Sequence, residues 1–252
     1  MTSPIALQLY SVREDLEKDF TGVMKKVADM GYAGVETASL PEGVTPQQAA
    51  SLYADLGLKV CGSHALLPLG DQQNQVIELM GVLGSPRLIC PWMPVEDFET
   101  VDGIKAVCEK LNQANAVAKE NGLAFGYHNH WQEHQIVEGR RAYEYMVDFL
   151  EPDVFFEVDT YWVKVAGSDP VAVVKGLGER ASLLHIKDGP ATREDAMTAV
   201  GDGVIDVAAI IKAGEGATKW LVVELDRCDS DMLTAVERSI QYLQENKLGH
   251  GR

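Results

Sequence analysis

The chain has 252 residues, 46% hydrophobic and 24% charged, and its 22 Lys and Arg against 38 Asp and Glu give a formal net charge of −16. Such an acidic surface repels phosphate backbones and anionic bilayers, so neither nucleic acid nor a membrane is expected as a partner, although a helix N-terminus or one arginine can still hold a single phosphate. No apolar run reaches the roughly 18 residues of a membrane span, the N-terminus lacks a secretory pattern, and Cys61, Cys90, Cys108 and Cys228 form no Cys-x-x-Cys; a cytoplasmic location with the cysteines as small buried fillers is expected.

In chain order, Ile5 to Tyr10 reads as a strand, and Asp19 to Met30 as a helix carrying Phe20, Val23, Met24 and Val27 at helical spacing. Gly34 to Thr37 is a short second strand containing Glu36, and Thr45-Pro46 opens a helix that stops at Gly57. Leu58 to His64 is the third strand, followed by a helix over Asp71–Leu83; Arg87 to Pro91 is the fourth, followed by a long periodic stretch from Phe98 to Glu120 that Asn121-Gly122 ends. The fifth strand begins at Leu123, and a helix over Arg140–Leu150 follows it. Val154 to Asp159 is the sixth strand, with helical pieces from Trp162 to Leu177 interrupted at Gly167 and Pro170. Ala181 to Asp188 is the seventh, with a short helix over Val207–Ala213; Trp220 to Leu225 is the eighth, and Met232 to Asn246 is the closing helix.

Eight apolar strands, each followed by a helical segment, call for a parallel sheet, and eight such units can close on themselves. The expected architecture is an α/β fold, a single-domain (β/α)8 TIM barrel over residues 1–252, with its site at the C-terminal ends of the strands. Glu36, His64, His128, Asp159, His185 and Glu224 all fall there.

The densest chemistry is in Leu123-Ala-Phe-Gly-Tyr-His-Asn-His-Trp-Gln-Glu-His134, where an apolar run ends in three of the chain's six histidines and Glu133. Two-residue spacing puts His128 and His130 on one face of a strand. Asp159, His185 and Glu224 close three successive strands, and with Glu133 they make an oxygen-rich donor set with one imidazole. Such a set suits Mn2+, Mg2+, Co2+ or Zn2+ with open positions, a catalytic rather than a closed structural site. Each residue also has a structural alternative: a helix cap for Asp159, a buried ion pair for Glu224, a core histidine for His185. Lys187 and Asp188 form a polar strand exit, Glu36 and His64 share the rim, and Trp92, Trp131, Tyr161 and Trp162 offer flat faces suited to a sugar ring.

With Gln8-Leu-Tyr-Ser-Val-Arg13, Gly31-Tyr-Ala-Gly-Val-Glu36, Tyr127-His-Asn-His130, Asp159-Thr-Tyr-Trp162, His185-Ile-Lys-Asp188 and Val223-Glu-Leu-Asp226 in order at strand ends, the chain resembles the xylose-isomerase-like family of TIM barrels. That family includes sugar epimerases, inosose dehydratases, hydroxypyruvate isomerases and, more distantly, endonuclease IV. The resemblance implies a divalent metal held by Glu, Asp, His and Glu from strands five to eight. Asp159, His185 and Glu224 match the last three. The first ligand stays open between Glu133 and His128 or His130, because the family glutamate falls around Gly126. The resemblance further implies proton transfer next to a carbonyl; on the chemistry of the residues, Glu224 and Glu133 are expected to share the proton, His128 or His130 to act as base or donor, and Lys187 to stabilise the developing oxyanion, while Glu36, His64, Trp162 and Asp188, from their place at the rim, are expected on substrate.

The expected activity is therefore a metal-dependent isomerase or epimerase of a sugar, keto-sugar or sugar phosphate, with a small sugar or polyol-derived substrate and a homodimer as the expected assembly. Two alternatives stand beside it: an inosose or keto-sugar dehydratase using the same metal site, and a non-catalytic sugar-binding barrel. Endonuclease chemistry is opposed by the charge of −16.

Overall fold

Parallel strands buried on both faces need near-continuous apolar runs, and the eight such runs in this chain pair edge to edge until the last meets the first. The structure is a computed structural model and describes residues 2–252. Strands β1 (Ser3–Gln8), β2 (Gly34–Thr37), β3 (Lys59–His64), β4 (Arg87–Cys90), β5 (Ala124–His128), β6 (Phe155–Asp159), β7 (Ala181–Ile186) and β8 (Trp220–Val223) lie in sequence order around the sheet. β8 returns to β1 with Ile5 opposite Leu221 and Leu7 opposite Val223, so the barrel is closed. All ladders of the barrel are parallel.

Alternation along each strand divides the side chains into two sets. Outward residues such as Ile5, Leu7, Val35, Leu88, Phe125 and Tyr127 join the main core under the helices. Inward ones form small separate clusters, Ala6 with Cys61 and Val222, and Ile89 with Phe155 and Leu183, with Trp220 packed against both. The inward space is tight: a Cβ at Gly126 would lie 2.3 Å from the Phe155 ring opposite it. Above this apolar plug the inward positions turn polar, and that change sets the level of the site.

The surrounding helices are α1 (Arg13–Asp29), α2 (Pro46–Asp55), α3 (Gln73–Leu83), α4 (Val101–Glu120), α5 (Ala142–Phe149), α6 (Thr160–Val165), α7 (Pro170–Leu177), α8 (Val207–Ala213) and α9 (Met232–Glu245). Among the described residues no helix is long and apolar enough to cross a membrane. α4 buries the expected stripe of Ile104, Val107, Leu111, Ala114 and Ala118. α2 begins with a capping box between Thr45 and Gln48, the proline occupying its first turn. The helix expected from Asp19 starts earlier, at Arg13, and Asp19 interrupts it with φ −153° and ψ 79° while its carboxylate accepts from the Gly22 amide at 2.8 Å. Asp19 thus caps the segment that the periodicity identifies, and the turn before it carries too few apolar residues to signal a helix. A hairpin of Ile136–Val137 with Arg140–Arg141 and the pairing of Gly249–His250 beside β1 were not expected; two-residue strands have no period to read. Cys61, Cys90, Cys108 and Cys228 are all unpaired thiols, the first three buried.

Candidate active site

The polar layer at the C-terminal end of the barrel is built from alternate residues of successive strands. Gln8 follows Ala6, Glu36 follows Gly34, His128 follows Gly126, Glu157 and Asp159 follow Phe155, His185 and Lys187 follow Leu183, and Glu224 follows Val222. Glu36, Glu157, Asp159, His185 and Lys187 are each 0% exposed. Buried charges must be paired or hold a counter-ion, and these form one continuous network.

His185 is its centre: Nδ1 lies 2.7 Å from Glu224 Oε2, and Nε2 lies 2.7 Å from Glu36 Oε2 and 3.2 Å from Glu157 Oε2. His64 Nε2 stands 2.6 Å from the same Glu157 oxygen, and Gln8 donates to Glu36 Oε2 at 2.6 Å. Lys187 Nζ is 2.8 Å from Asp159 Oδ2, 2.6 Å from Glu224 Oε2 and 3.0 Å from Asp226. Asp159 spends its other oxygen on the Trp162 amide at 2.9 Å, capping α6. The helix cap and the cluster role, alternatives in the sequence, are therefore both present on one side chain. The amide of Asn129 locks the top of β5 to β6 by accepting from the Asp159 N–H at 3.0 Å.

Burial raises the Asp159 carboxyl to about 6 against the opposing pull of Lys187. Burial would raise Glu36 and Glu224 too, but His64 and His185 hold Glu36 well below the usual range, and Lys187 and His185 do the same for Glu224. Burial disfavours the charged form of His64, yet Glu36 and Glu157 outweigh it and push the imidazole up to about 10. For His128 and His130 the balance runs the other way. Burial and then the neighbouring cations keep His128 neutral, and burial with Lys187 holds His130 down to about 3.

Two overlapping groups of donor atoms lie within 4.8 Å of one another: His128, Asp159, His185 and Glu224, and His64, His128, Glu157 and His185. Asp159 Oδ2 and His128 Nδ1 are buried without a hydrogen-bond partner of good geometry, although Lys187 Nζ lies 2.8 Å from the first and Glu157 Oε2 3.1 Å from the second. The carboxylates of Glu36, Glu157, Asp159, Glu224 and Asp226 outnumber Lys187 and the imidazoles of His64 and His185, whose protons they favour, so a dication that displaces an imidazole proton suits both the donors and their charge.

Asp159, His185 and Glu224 thus converge as the sequence pattern implied, and His128 joins them. Glu133 lies elsewhere. It accepts from the Tyr127 hydroxyl and, at 2.8 Å, from the His130 amide, and it lines a small space with Tyr143 and Met146 under the helices. Because Tyr127 alternates with Gly126 and His128, its outward side of β5 is the side Glu133 occupies, and among the described residues Glu133 is in neither donor group. Two expected substrate contacts are also corrected. Glu36 is sealed behind His64 and His185. Asp188, 1% exposed, accepts from the amides of Gly189, Gly201, Gly203 and Ile205 at 2.8 to 3.1 Å and so folds the loop after β7. A Cβ at Gly203 would meet Asp188 at 2.1 Å, and Gly201 has φ +97° with the Tyr242 ring 2.3 Å from where its Cβ would lie, which accounts for both glycines of the Gly201-Asp-Gly203 turn. Lys187 stands behind the carboxylates and not at the cavity wall.

A cavity of about 380 Å³ opens above the cluster, lined by His64, His128, His130, Trp162, Glu224 and Asp226 together with Tyr10, Pro91 and Trp92. Of the aromatic candidates, Trp92 and Trp162 reach it. Tyr161 is buried with its hydroxyl on the Thr192 carbonyl, and Trp131 lies under Arg193 at 3.7 Å. Sequence reasoning missed Glu157 and Gln8 as network members; for Glu157 the signal was available, since it shares a strand face with Asp159.

A family model described as xylose isomerase-like TIM barrel matches residues 24–246. Inosose dehydratase of Clostridium perfringens is 27% identical over 163 residues, 56% of this chain and 54% of that enzyme, so the match spans about half the relative's length. Two structures of sugar phosphate isomerase/epimerases from Parabacteroides distasonis superpose over nearly the whole molecule: one has TM-score 0.82 and 29% identity over 96% of this chain and 98% of that one, the other TM-score 0.81 and 26% identity over 97% and 94%. With the closed barrel and the polar layer at its C-terminal mouth, these matches show that the chain belongs to the xylose isomerase-like TIM barrel family.

Proposed function

We propose that this protein is a divalent-metal-dependent enzyme that moves a proton on the carbon beside a sugar carbonyl, as an epimerase or isomerase. The observation that carries this reading is the convergence of Asp159, His185 and Glu224, from three successive strands, with His128 beneath a sugar-sized cavity. Those four residues are the proposed ligands, His128 filling the strand-five place. A dication held there would supply Lewis-acid polarisation of a carbonyl oxygen, which would acidify the adjoining C–H.

The side chains supply the rest. Glu224 has Oε2 fixed by Lys187 and His185, and its Oε1, in none of those contacts, is the proposed proton acceptor. His130, neutral at the cavity wall, orients a substrate hydroxyl. Lys187 acts from behind, keeping Asp159 and Glu224 in place. Trp162 and Trp92 offer flat faces to the apolar side of the ring.

The match to an inosose dehydratase favours a second reading, in which the same proton removal is followed by loss of a β-hydroxyl. Incubation of Mn2+-loaded protein with keto-sugars and inososes in D2O, followed by NMR and ultraviolet absorbance, separates the two. Deuterium entering beside the carbonyl without new absorbance identifies an isomerase or epimerase, and growing absorbance identifies a lyase. Either signal is expected to fall at least about 100-fold in Glu224→Gln. No exchange and no absorbance from any substrate contradicts both.

A further inference from the structure

We infer that the substrate is an unphosphorylated keto-sugar glycoside, with its ketone at a ring carbon other than the anomeric one and an apolar aryl or alkyl group on the anomeric oxygen, whose apolar group occupies a second cavity beside the sugar site. This rests on the sugar chemistry proposed above.

The second cavity has a volume of about 600 Å³ and is continuous with the first through Tyr10, His64 and Pro91, which line both. It lies between the loop after β2, the end of β3 and helix α3. Leu40, Val44, Val76, Leu79 and Leu83 make its walls apolar. Each of the two cavities is of the size that small-molecule sites have, roughly 300–1,000 Å³, and a bare monosaccharide placed over the carboxylates leaves the apolar one unused. Of the five large hydrophobic residues exposed among those described, three, Tyr10 at 45%, Leu66 at 66% and Trp92 at 51%, stand on the walls of these two cavities. Exposed apolar side chains gathered at one place mark a surface that a ligand covers.

Charge excludes the phosphate. Among the described residues that line either cavity there is no lysine or arginine, His64 on both walls is already taken by Glu36 at 3.2 Å and Glu157 at 2.6 Å, and Glu224 and Asp226 line the sugar cavity. Lys187 is 0% exposed and already faces three carboxylates. Arg13, stacked on Tyr10 at 4.0 Å, donates to the Tyr10 and Asp226 carbonyls. A phosphate dianion would meet carboxylates with no free cation of the chain to hold it, while a neutral ring with an apolar tail matches both chambers.

The test is calorimetric titration of the Mn2+-loaded protein with matched phenyl and methyl β-glycosides of glucose, galactose and xylose, which carry a hydroxyl in place of the ketone and so bind without turnover, and with glucose and glucose 6-phosphate. At least one phenyl glycoside is expected to bind about tenfold or more tighter than its methyl partner, because the ring leaves water for an apolar wall. Glucose 6-phosphate is expected to bind no tighter than glucose. Ala38→Trp, which fills the second cavity, and Leu79→Ser, which makes it polar, are expected to bring the phenyl affinity to the methyl level and leave the methyl affinity within about twofold. Equal phenyl and methyl affinities in the wild type, or tighter binding through the phosphate, overturn the inference whatever the variants do. Methyl glycosides that bind without phenyl preference, alongside deuterium exchange from keto-sugars, overturn this inference alone; absence of all sugar binding and all exchange overturns the sugar chemistry with it.

Discussion

Glu133 shows how far one residue's role depends on which side of a strand it reaches. Burial raises its carboxyl to about 7 even though Tyr127 and the His130 amide favour its ionised form. An unfolded glutamate loses its proton near about 4.3. The folded value is the higher, so the stability attached to that proton is complete below the unfolded value and is lost as pH rises toward 7. Glu133→Gln removes this titration. Urea denaturation from pH 4 to 8 is expected to show wild-type stability falling relative to the variant across that window and flat above it; a constant difference would contradict the burial. Gly126 offers a second test. Gly126→Ala would drive a methyl into the Phe155 ring and is expected to destabilise the protein by about 1–3 kcal/mol in the same assay, as overpacked cores do. Asp159, His185 and Glu224 were legible because a charged or imidazole group at the end of an apolar strand has few bland explanations. The position of Glu133 was not, because spacing alone does not say where a strand ends and a loop turns it outward.

Elements were legible where a period repeats. α4 and α9 show their buried stripes in the sequence, and Thr45-Pro46 announces α2 through its cap. Thr45→Ala is expected to cost about 1 kcal/mol in chemical denaturation, the usual loss for an N-cap. What the sequence hid was carried by single side chains bonding to backbone, as with Asp19 inside α1 and Asp188 in the loop after β7. Asp188 gathers four amides from a stretch with no regular structure, and nothing in Lys187-Asp188 distinguishes that task from substrate binding. Asp188→Ala is expected to speed amide hydrogen exchange in Gly189, Gly201, Gly203 and Ile205 by at least tenfold, with the strands of the barrel unchanged, each lost bond to a charged acceptor being worth about 1.5–3 kcal/mol. Uniform acceleration through the whole barrel would instead make Asp188 a core residue.

For the whole molecule, eight units closing in order explain why residues from Gln8 to Asp226 meet at one mouth, and this was the most legible level because alternation needs no contact to be known. Closure also sets the charge. It gathers a carboxylate excess around Lys187, which stabilises them as an internal cation but stands against Asp159 and Glu224, two of the side chains proposed to hold the metal. Lys187→Met leaves those carboxylates without that partner and is expected to lower stability by about 3–5 kcal/mol in EDTA. Mn2+ is expected to restore more stability to this variant than to the wild type, read as the shift in melting temperature. The most direct test of the cluster is titration of the metal-free protein with Mn2+ and with Co2+, followed by metal analysis after dialysis. The wild type is expected to retain a single equivalent, Asp159→Asn and Glu224→Gln to lose it, and Glu133→Gln to keep it. A wild type that retains no divalent metal, or variants of Asp159 and Glu224 that retain it in full, would contradict a shared cation at this mouth.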